Sequence, residues 1–143
     1  MMQDRFKFRV WSKRECKYVE YYLDDDLTFA IDIDGKLIAY ASNYSDYANC
    51  DNGDFDDSHI VEFCTGLKDK NVKLIYEGDL IKEPANKYPL EIYYDKGAWL
   101  TREYRKNGNN EQLLYVLINC YGVEVIGNIH ENPDLLENKD ESI

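Results

Sequence analysis

The chain is poor in the residues that most chemistry requires. It carries two histidines and three prolines in 143 residues. Histidine is the usual general acid or base near neutral pH. Neither His59 nor His130 sits in a nucleophile or zinc pattern: there is no G-x-S-x-G elbow, no H-E-x-x-H and no H-x-E paired with C-x-x-C. The four cysteines, Cys16, Cys50, Cys64 and Cys120, form no C-x-x-C pair and fall at irregular separations. That excludes a zinc knuckle and a redox motif, and each is expected to be a small buried hydrophobe. No apolar run approaches the ~20 residues of a membrane span. Met1 to Val10 holds Asp4, Arg5, Lys7 and Arg9 without an apolar segment. No signal peptide is therefore expected, and the chain reads as cytoplasmic with reduced thiols.

Basic residues are also scarce. Asp and Glu number 28 against 17 Lys and Arg, for a net charge of −11. Such a field repels nucleic-acid phosphates and anionic membranes, whose binding rests on lysine and arginine. The local basic groups, Lys13-Arg14 and Lys68/Lys70/Lys73, are short and interleaved with acids. The balance fits a basic protein surface as partner, or imitation of DNA before a DNA-binding protein.

Glycine-rich loops are missing as well. In "TGLKDKNVKLIYEGDLI" (65–81), Gly66 and Gly78 are too widely spaced for a Walker A loop, and no helix follows. Gly66 reads as a turn residue after Thr65, and Gly78-Asp79 as the start of a strand. A calcium loop fails too. With Gly53 at the invariant glycine position, the outer ligand positions fall on Ala48, Cys50 and His59. "DIDG" (32–35) fails in the same way, with Ala30 and Ala41 outermost. Asp51, Asp54, Asp56 and Asp57 read as a solvated acidic loop. Clustered acids on one loop are not the facing pair of a glycosidase. No catalytic residue, metal or cofactor is expected, and the chain reads as not an enzyme.

What the chain does have is aromatic residues and short alternating runs. Aromatics make up 14%, with 13 Tyr among them, and tyrosine suits a half-buried pleated surface with a polar edge. "FKFRVW" (6–11) alternates with period two, "KYVEYY" (17–22) is its return, and Ser12 to Cys16 is the turn. "LTFAIDI" and "KLIAYA" flank Asp34-Gly35, a hairpin signal expected to be a type I′ turn. Residues 42–58 read as a loop and a seam. Beyond it "HIVEFC", "DLIK", "PLEIYY", "AWLTREY", "EQLLYVLIN" and "VEVIG" read as strands between turn signals. "EQLLYVLIN" is ambiguous with helix and is placed as a strand. Asn132-Pro133 before "DLLE" is a helix start. The fold class is therefore mainly β: a small barrel with an N-terminal β-hairpin extension and a short C-terminal helix. Residues 1–58 form an N-terminal β segment with the acidic loop, and 59–143 the barrel, the two integrated or separate.

Three segments carry a resemblance: "FKFRVWSKRECKYV" (6–19), "FCTGLKDKNVKLIYEGDLI" (63–81) and "EVIGNIHENPDLLE" (124–137). They resemble the opening, middle and closing signatures of the YopX family of phage and prophage proteins. The matching residues are Phe8, Arg9 and Trp11, then Thr65 to Asn71 and Ile75 to Asp79, then Val125 to Pro133 with Leu135 and Leu136. The family usually has glycine where this chain has Val72, so a wider or differently shaped turn is expected there. Residues 20–58 match no part of the pattern. The resemblance implies an SH3-like barrel with appendages in a Gram-positive bacterial host, and it brings no catalytic residue.

The functional reading is a phage or prophage accessory protein acting by protein–protein binding or self-assembly, with a homo-oligomer expected. The candidate anchors are Trp11, Trp99, Tyr93, Tyr94, Arg102 and Arg105, since Trp, Tyr and Arg are the usual interface anchors. The alternative is a role with nucleic acid. "YYDKGAWLTREYRK" (93–106) interleaves aromatics with Lys96, Arg102, Arg105 and Lys106, and the acidic surface suits DNA mimicry. A third reading, an unrecognised catalytic site, would draw on His59, His130 and the acidic loop.

Overall fold

The computed structural model describes residues 3–22, 27–40, 47–48, 58–103 and 111–137. Among these the protein is mainly β, with one α-helix and a 3-10 turn near each end. The chain divides into two units, Phe8–Glu62 and Met1–Lys7 with Phe63–Ile143.

In the Phe8–Glu62 unit, β1 (Phe8–Ser12) pairs antiparallel with β2 (Lys17–Val19), with Trp11 opposite Tyr18. The expected turn closes them. Cys16 N donates to Ser12 O, and Ser12 Oγ accepts from Glu15 N. The return strand breaks at Glu20. Its continuation, β3 (Tyr21–Tyr22), joins β4 (Leu27–Ile31), β5 (Leu37–Tyr40) and β6 (Tyr47–Ala48) in a second antiparallel sheet. β6 lies within the stretch read as a loop. Asp51, Asp54, Asp56 and Asp57 lie outside the described residues.

The other unit contains a five-stranded antiparallel sheet in the order β12 (Glu111–Leu113), β11 (Ala98–Glu103), β10 (Leu90–Asp95), β9 (Asp79–Lys82), β13 (Glu124–Asn128). β13 is bulged between Val125 and Gly127, which raises local twist. The layout is consistent with the small barrel expected. β7 (His59–Lys68) crosses the boundary between the units, and its second half pairs with β8 (Leu74–Tyr76). Gly66 lies inside β7, not in a turn. It sits at a register shift with φ +80°, and a Cβ there would come within 3.0 Å of Arg5 Cβ. Positive φ and close approach both require glycine.

The core of this unit is Ile75, Ile81, Leu90, Ile92, Leu114, Leu117 and Val123. Two of these come from a helix, which corrects the strand assigned to "EQLLYVLIN". Only Glu111–Leu113 is strand, and α1 spans Leu114–Cys120. Leu114, Leu117 and Ile118 recur at i, i+3 and i+4, so a helix turns all three to the core side. Val116 and Ile118 cost a helix at most about 0.7 kcal/mol each. Burying two leucines contributes about 1.5–3 kcal/mol each, so packing wins. α1 ends where Gly122, at φ +76°, donates its N–H back to Leu117 O. The C-terminal helix start is a single 3-10 turn, Pro133–Leu136, with Asn132 at its N-cap and Pro in its first turn.

Two turns share one design. In "DIDGK" (32–36) and "DKNVK" (69–73), the first Asp donates its N–H to the carbonyl of the closing Lys. Its Oδ1 accepts from the backbone N–H two and four residues on, at 2.8–2.9 Å. The fourth residue is left-handed: Gly35 at φ +84° and Val72 at φ +64°. Ile33-Asp34-Gly35 is thus a three-residue loop closed by an αL glycine, not the type I′ turn expected. The two-residue turn with both central φ positive is Lys96-Gly97, between β10 and β11.

At Val72 the turn is no wider than the one that Gly35 closes in this chain. It keeps the glycine-type geometry with a β-branched side chain, a strained conformation. The αL state costs an L-residue roughly 1–2 kcal/mol, against roughly 0.5–1 kcal/mol for glycine's extra unfolded-state entropy. Val72 is 71% exposed, so little packing is lost by truncation. Val72→Gly is therefore expected to stabilise the protein by about 0.5–1 kcal/mol, read as a higher denaturant midpoint at unchanged slope. A lower midpoint would show that the left-handed valine is not strained.

Candidate binding surfaces

The six candidate anchors do not form one face. Trp11 belongs to the Phe8–Glu62 unit, is buried, and stacks edge-on to Tyr18 at 5.0 Å. Its neighbour Arg9 lies 4.5 Å over the same tyrosine ring and donates through Nε to Glu62 Oε1 at 2.8 Å. Tyr18 donates its hydroxyl to that oxygen at 2.9 Å. Glu62 is buried, and a buried carboxylate needs such partners. The opening signature residues Arg9 and Trp11 thus hold β1, β2 and the first half of β7 together.

Tyr93, Tyr94, Trp99 and Arg102 lie on the β10–β11 hairpin of the other unit, divided between its two faces by strand alternation. Tyr94 opposes Trp99 on the core-facing side, with ring centroids 5.0 Å apart. Trp99 packs against the hydrophobic cluster, and Tyr94 is exposed. On the opposite face the Arg102 guanidinium lies 4.3 Å over Tyr93 and donates through Nε to Glu91 Oε1 at 3.4 Å. Arg102 is thus engaged within its own sheet. Arg105 lies outside the described residues.

The histidines fall in different units. His59 Nδ1 is 2.9 Å from Ser58 Oγ, and its ring faces Phe29. His130 donates its backbone N–H to Asn128 Oδ1 in a turn. Among the described residues no three His, Cys, Asp or Glu side chains are placed to hold a metal ion, and no helix is long and apolar enough to cross a membrane. Of the described cysteines only Cys64 is buried, and burial pushes its thiol pKa up. Cys16 and Cys120 are exposed, contrary to the reading of all four as core residues.

The middle and closing signatures meet at Asp69. Its Oδ2 accepts from Val125 N at 2.9 Å, while Oδ1 binds its own turn through Asn71 N and Lys73 N. Lys70 N donates to Val123 O, and Asn71 Nδ2 to Glu124 Oε2. The 69–73 turn is thereby fastened to the start of β13. Burial pushes the Asp69 carboxyl up, but the three backbone donors and the charge of Lys73 outweigh it, and its pKa lies below the ordinary carboxylate value. At the other end of β13, Asn128 Oδ1 accepts from His130 N and Glu131 N, and Asn132 Oδ1 accepts from Asn128 N. A Cβ on Gly127 would lie 2.7 Å from Asn132 Cγ, so the closing signature needs its glycine for this turn.

Sequence reasoning missed one surface. Leu113, Tyr115, Val116 and Tyr121 are all exposed large side chains on β12, α1 and the residue after it. Reading "EQLLYVLIN" as a strand hid them. The i, i+3, i+4 spacing of Leu114, Leu117 and Ile118 and the helix-ending Gly122 were the available signals.

These features define a small, mainly β protein of two units whose signature residues are held in turns, a bulge and one buried ion pair. The chain belongs to the YopX protein family, whose model matches residues 7–137. It is similar to the crystal structure of protein EF1440 from Enterococcus faecalis, at 28% identity, covering 92% of this chain and 97% of that one, with a TM-score of 0.55. Protein yopX from Bacillus subtilis is similar in fold, at 19% identity, covering 93% of this chain and 99% of that one, with a TM-score of 0.58. None of the curated proteins compared with the chain matches it.

Asp69→Asn is expected to destabilise the protein by about 2–3 kcal/mol at neutral pH, since an amide presents N–H to one donor that now finds a carboxylate oxygen. The sign with pH follows from the lowered pKa. The Asp69 contribution is complete above the unfolded value of about 3.9 and is lost as pH falls through the lower folded value. Denaturant unfolding at pH 7 and below pH 3 is expected to show the gap between wild type and variant narrowing in acid. An unchanged gap would remove the carboxylate from this role.

Proposed function

We propose that the chain is a non-enzymatic accessory protein of a phage or prophage that acts in the bacterial cytoplasm by protein–protein contact or self-assembly. The observation that carries this reading is the exposed apolar face on β12 and α1. Leu113 is 48% exposed, Tyr115 65%, Val116 43% and Tyr121 60%. Apolar side chains grouped on one short segment of a strongly charged chain are the mark of an interaction site. Tyrosine adds contact area at low entropic cost. Tyr94 is a further exposed aromatic of the same unit.

The other two readings have less behind them. Direct nucleic-acid binding through 93–106 would rest on Arg102, which is stacked on Tyr93 and bonded to Glu91. A catalytic role for the histidines would draw on side chains in separate units.

The test uses the tagged full chain as bait in lysate of a prophage-carrying Gram-positive host, with Tyr115→Glu as the paired bait. Wild type is expected to retain a protein, or further copies of the chain, that the variant loses. Identical retention by both baits would overturn the α1 face as the contact site.

A further inference from the structure

We propose that the outward face of α1 with Leu113 is a contact site for a second copy of this chain, an inference that rests on the binding reading above. The argument begins with charge. Although 31% of the residues are charged, Gln112 to Val123 contains no Asp, Glu, Lys, Arg or His. This is the longest such stretch in the chain, and it covers the last two residues of β12, all of α1 and Gly122. Helical spacing turns Leu114 and Leu117 into the core and leaves Tyr115, Val116, Asn119 and Cys120 outward.

Charge complementarity then selects the occupant. A basic partner would be met by a group of acids, yet α1 carries none, and the one beside it is Glu111, on the same side of β12 as Leu113, in a chain that has 28. An anionic membrane surface would be met by lysine and arginine on an amphipathic helix, and these are missing too. A charge-depleted centre of mixed aliphatic and aromatic residues is the composition of a protein–protein interface core. Two molecules of net charge −11 repel wherever their acids meet. A face without charge is where two copies approach with least opposition, and an isologous contact across a two-fold axis sets this face against itself.

The edge of the sheet borders the same face. Among the described residues β12 is the terminal strand of the five-stranded sheet, and all three of its residues are exposed. It is only three residues long and begins with the exposed Glu111, which limits strand-to-strand pairing and leaves the contact to Leu113 and α1. A few large side chains make a contact below the standard interface size, so the dimer is expected to be weak and reversible, with a dissociation constant of roughly 10–100 μM.

Sedimentation equilibrium of the full chain tests this, with Val116→Glu and Tyr115→Glu as face variants. Ile33→Glu, at a fully exposed position of the other unit, adds the same charge as a control. Wild type and Ile33→Glu are expected to form the same concentration-dependent dimer. It should tighten several-fold between ~50 mM and ~500 mM salt, because screening relieves like-charge repulsion. Both face variants are expected to stay monomeric while keeping the wild-type circular dichroism. A wild type that stays monomeric at several hundred micromolar at both salts, or a dimer that both face variants keep, would overturn the second copy as occupant. If that monomer still retained a different protein that Tyr115→Glu loses, the binding reading would survive. If it retained none, both would fall.

Discussion

The Asp69 carboxylate is the constraint on which the sheet-bearing unit depends. One buried side chain accepts from two amides of its own turn and from the amide of Val125, 56 residues away in sequence. Each such bond to a charged acceptor is worth about 1.5–3 kcal/mol. Together they fix where the chain leaving β7 lies against the start of β13. The bulge between Val125 and Gly127 then follows within the same strand, and the turn built on Asn128 and Asn132 at its end. In the other unit Glu62 plays a comparable part, accepting from Arg9 and Tyr18. Family signature and fold are therefore linked by particular hydrogen bonds. Several of the residues that identify the family, Asp69, Gly127, Asn128 and Asn132 among them, serve to position backbone.

The paired turns at 32–36 and 69–73 show how one local solution serves two ends. Asp, a polar third residue and a closing Lys recur in both, and the side-chain hydrogen bonds are the same. Asp32 serves only its own hairpin in the bonds described, whereas Asp69 also reaches a distant strand. That second attachment accounts for the left-handed valine at 72. A turn held from outside can keep a strained residue that an isolated hairpin would shed.

Much of this is legible in the sequence, and the failures have physical causes. The β1–β2 hairpin, the strands flanking Asp34-Gly35 and the strand start after Gly78 follow from alternation and turn chemistry. The type of turn does not, because Asp32 Oδ1 closes a three-residue loop where the Asp-Gly pair alone predicts two. Lys96-Gly97 makes the type I′ turn without the usual Asn or Asp. Gly66 looks like a turn residue because positive φ serves turns and bulges alike. "EQLLYVLIN" is apolar enough for either structure, and only the burial of Leu114 and Leu117 decides for the helix. The candidate anchors are alike only in residue type, and alternation along β10 and β11 divides Tyr93, Tyr94, Trp99 and Arg102 between faces, which type alone cannot show.

The contact proposed above would rest on the outward face of α1, which carries no charged side chain. That face can exist only if the rest of the unit holds α1 against the sheet, and the turn at Asp69 also binds Val123, the core residue just after the helix, through Lys70. The most direct measurement is amide hydrogen exchange by NMR on wild type and Asp69→Ala. If the carboxylate is the tie, the amides of Asn71, Lys73 and Val125 exchange slowly in the wild type and lose protection together in the variant. Protection of Val125 that survives the loss of Asp69 would show that β13 is held without it.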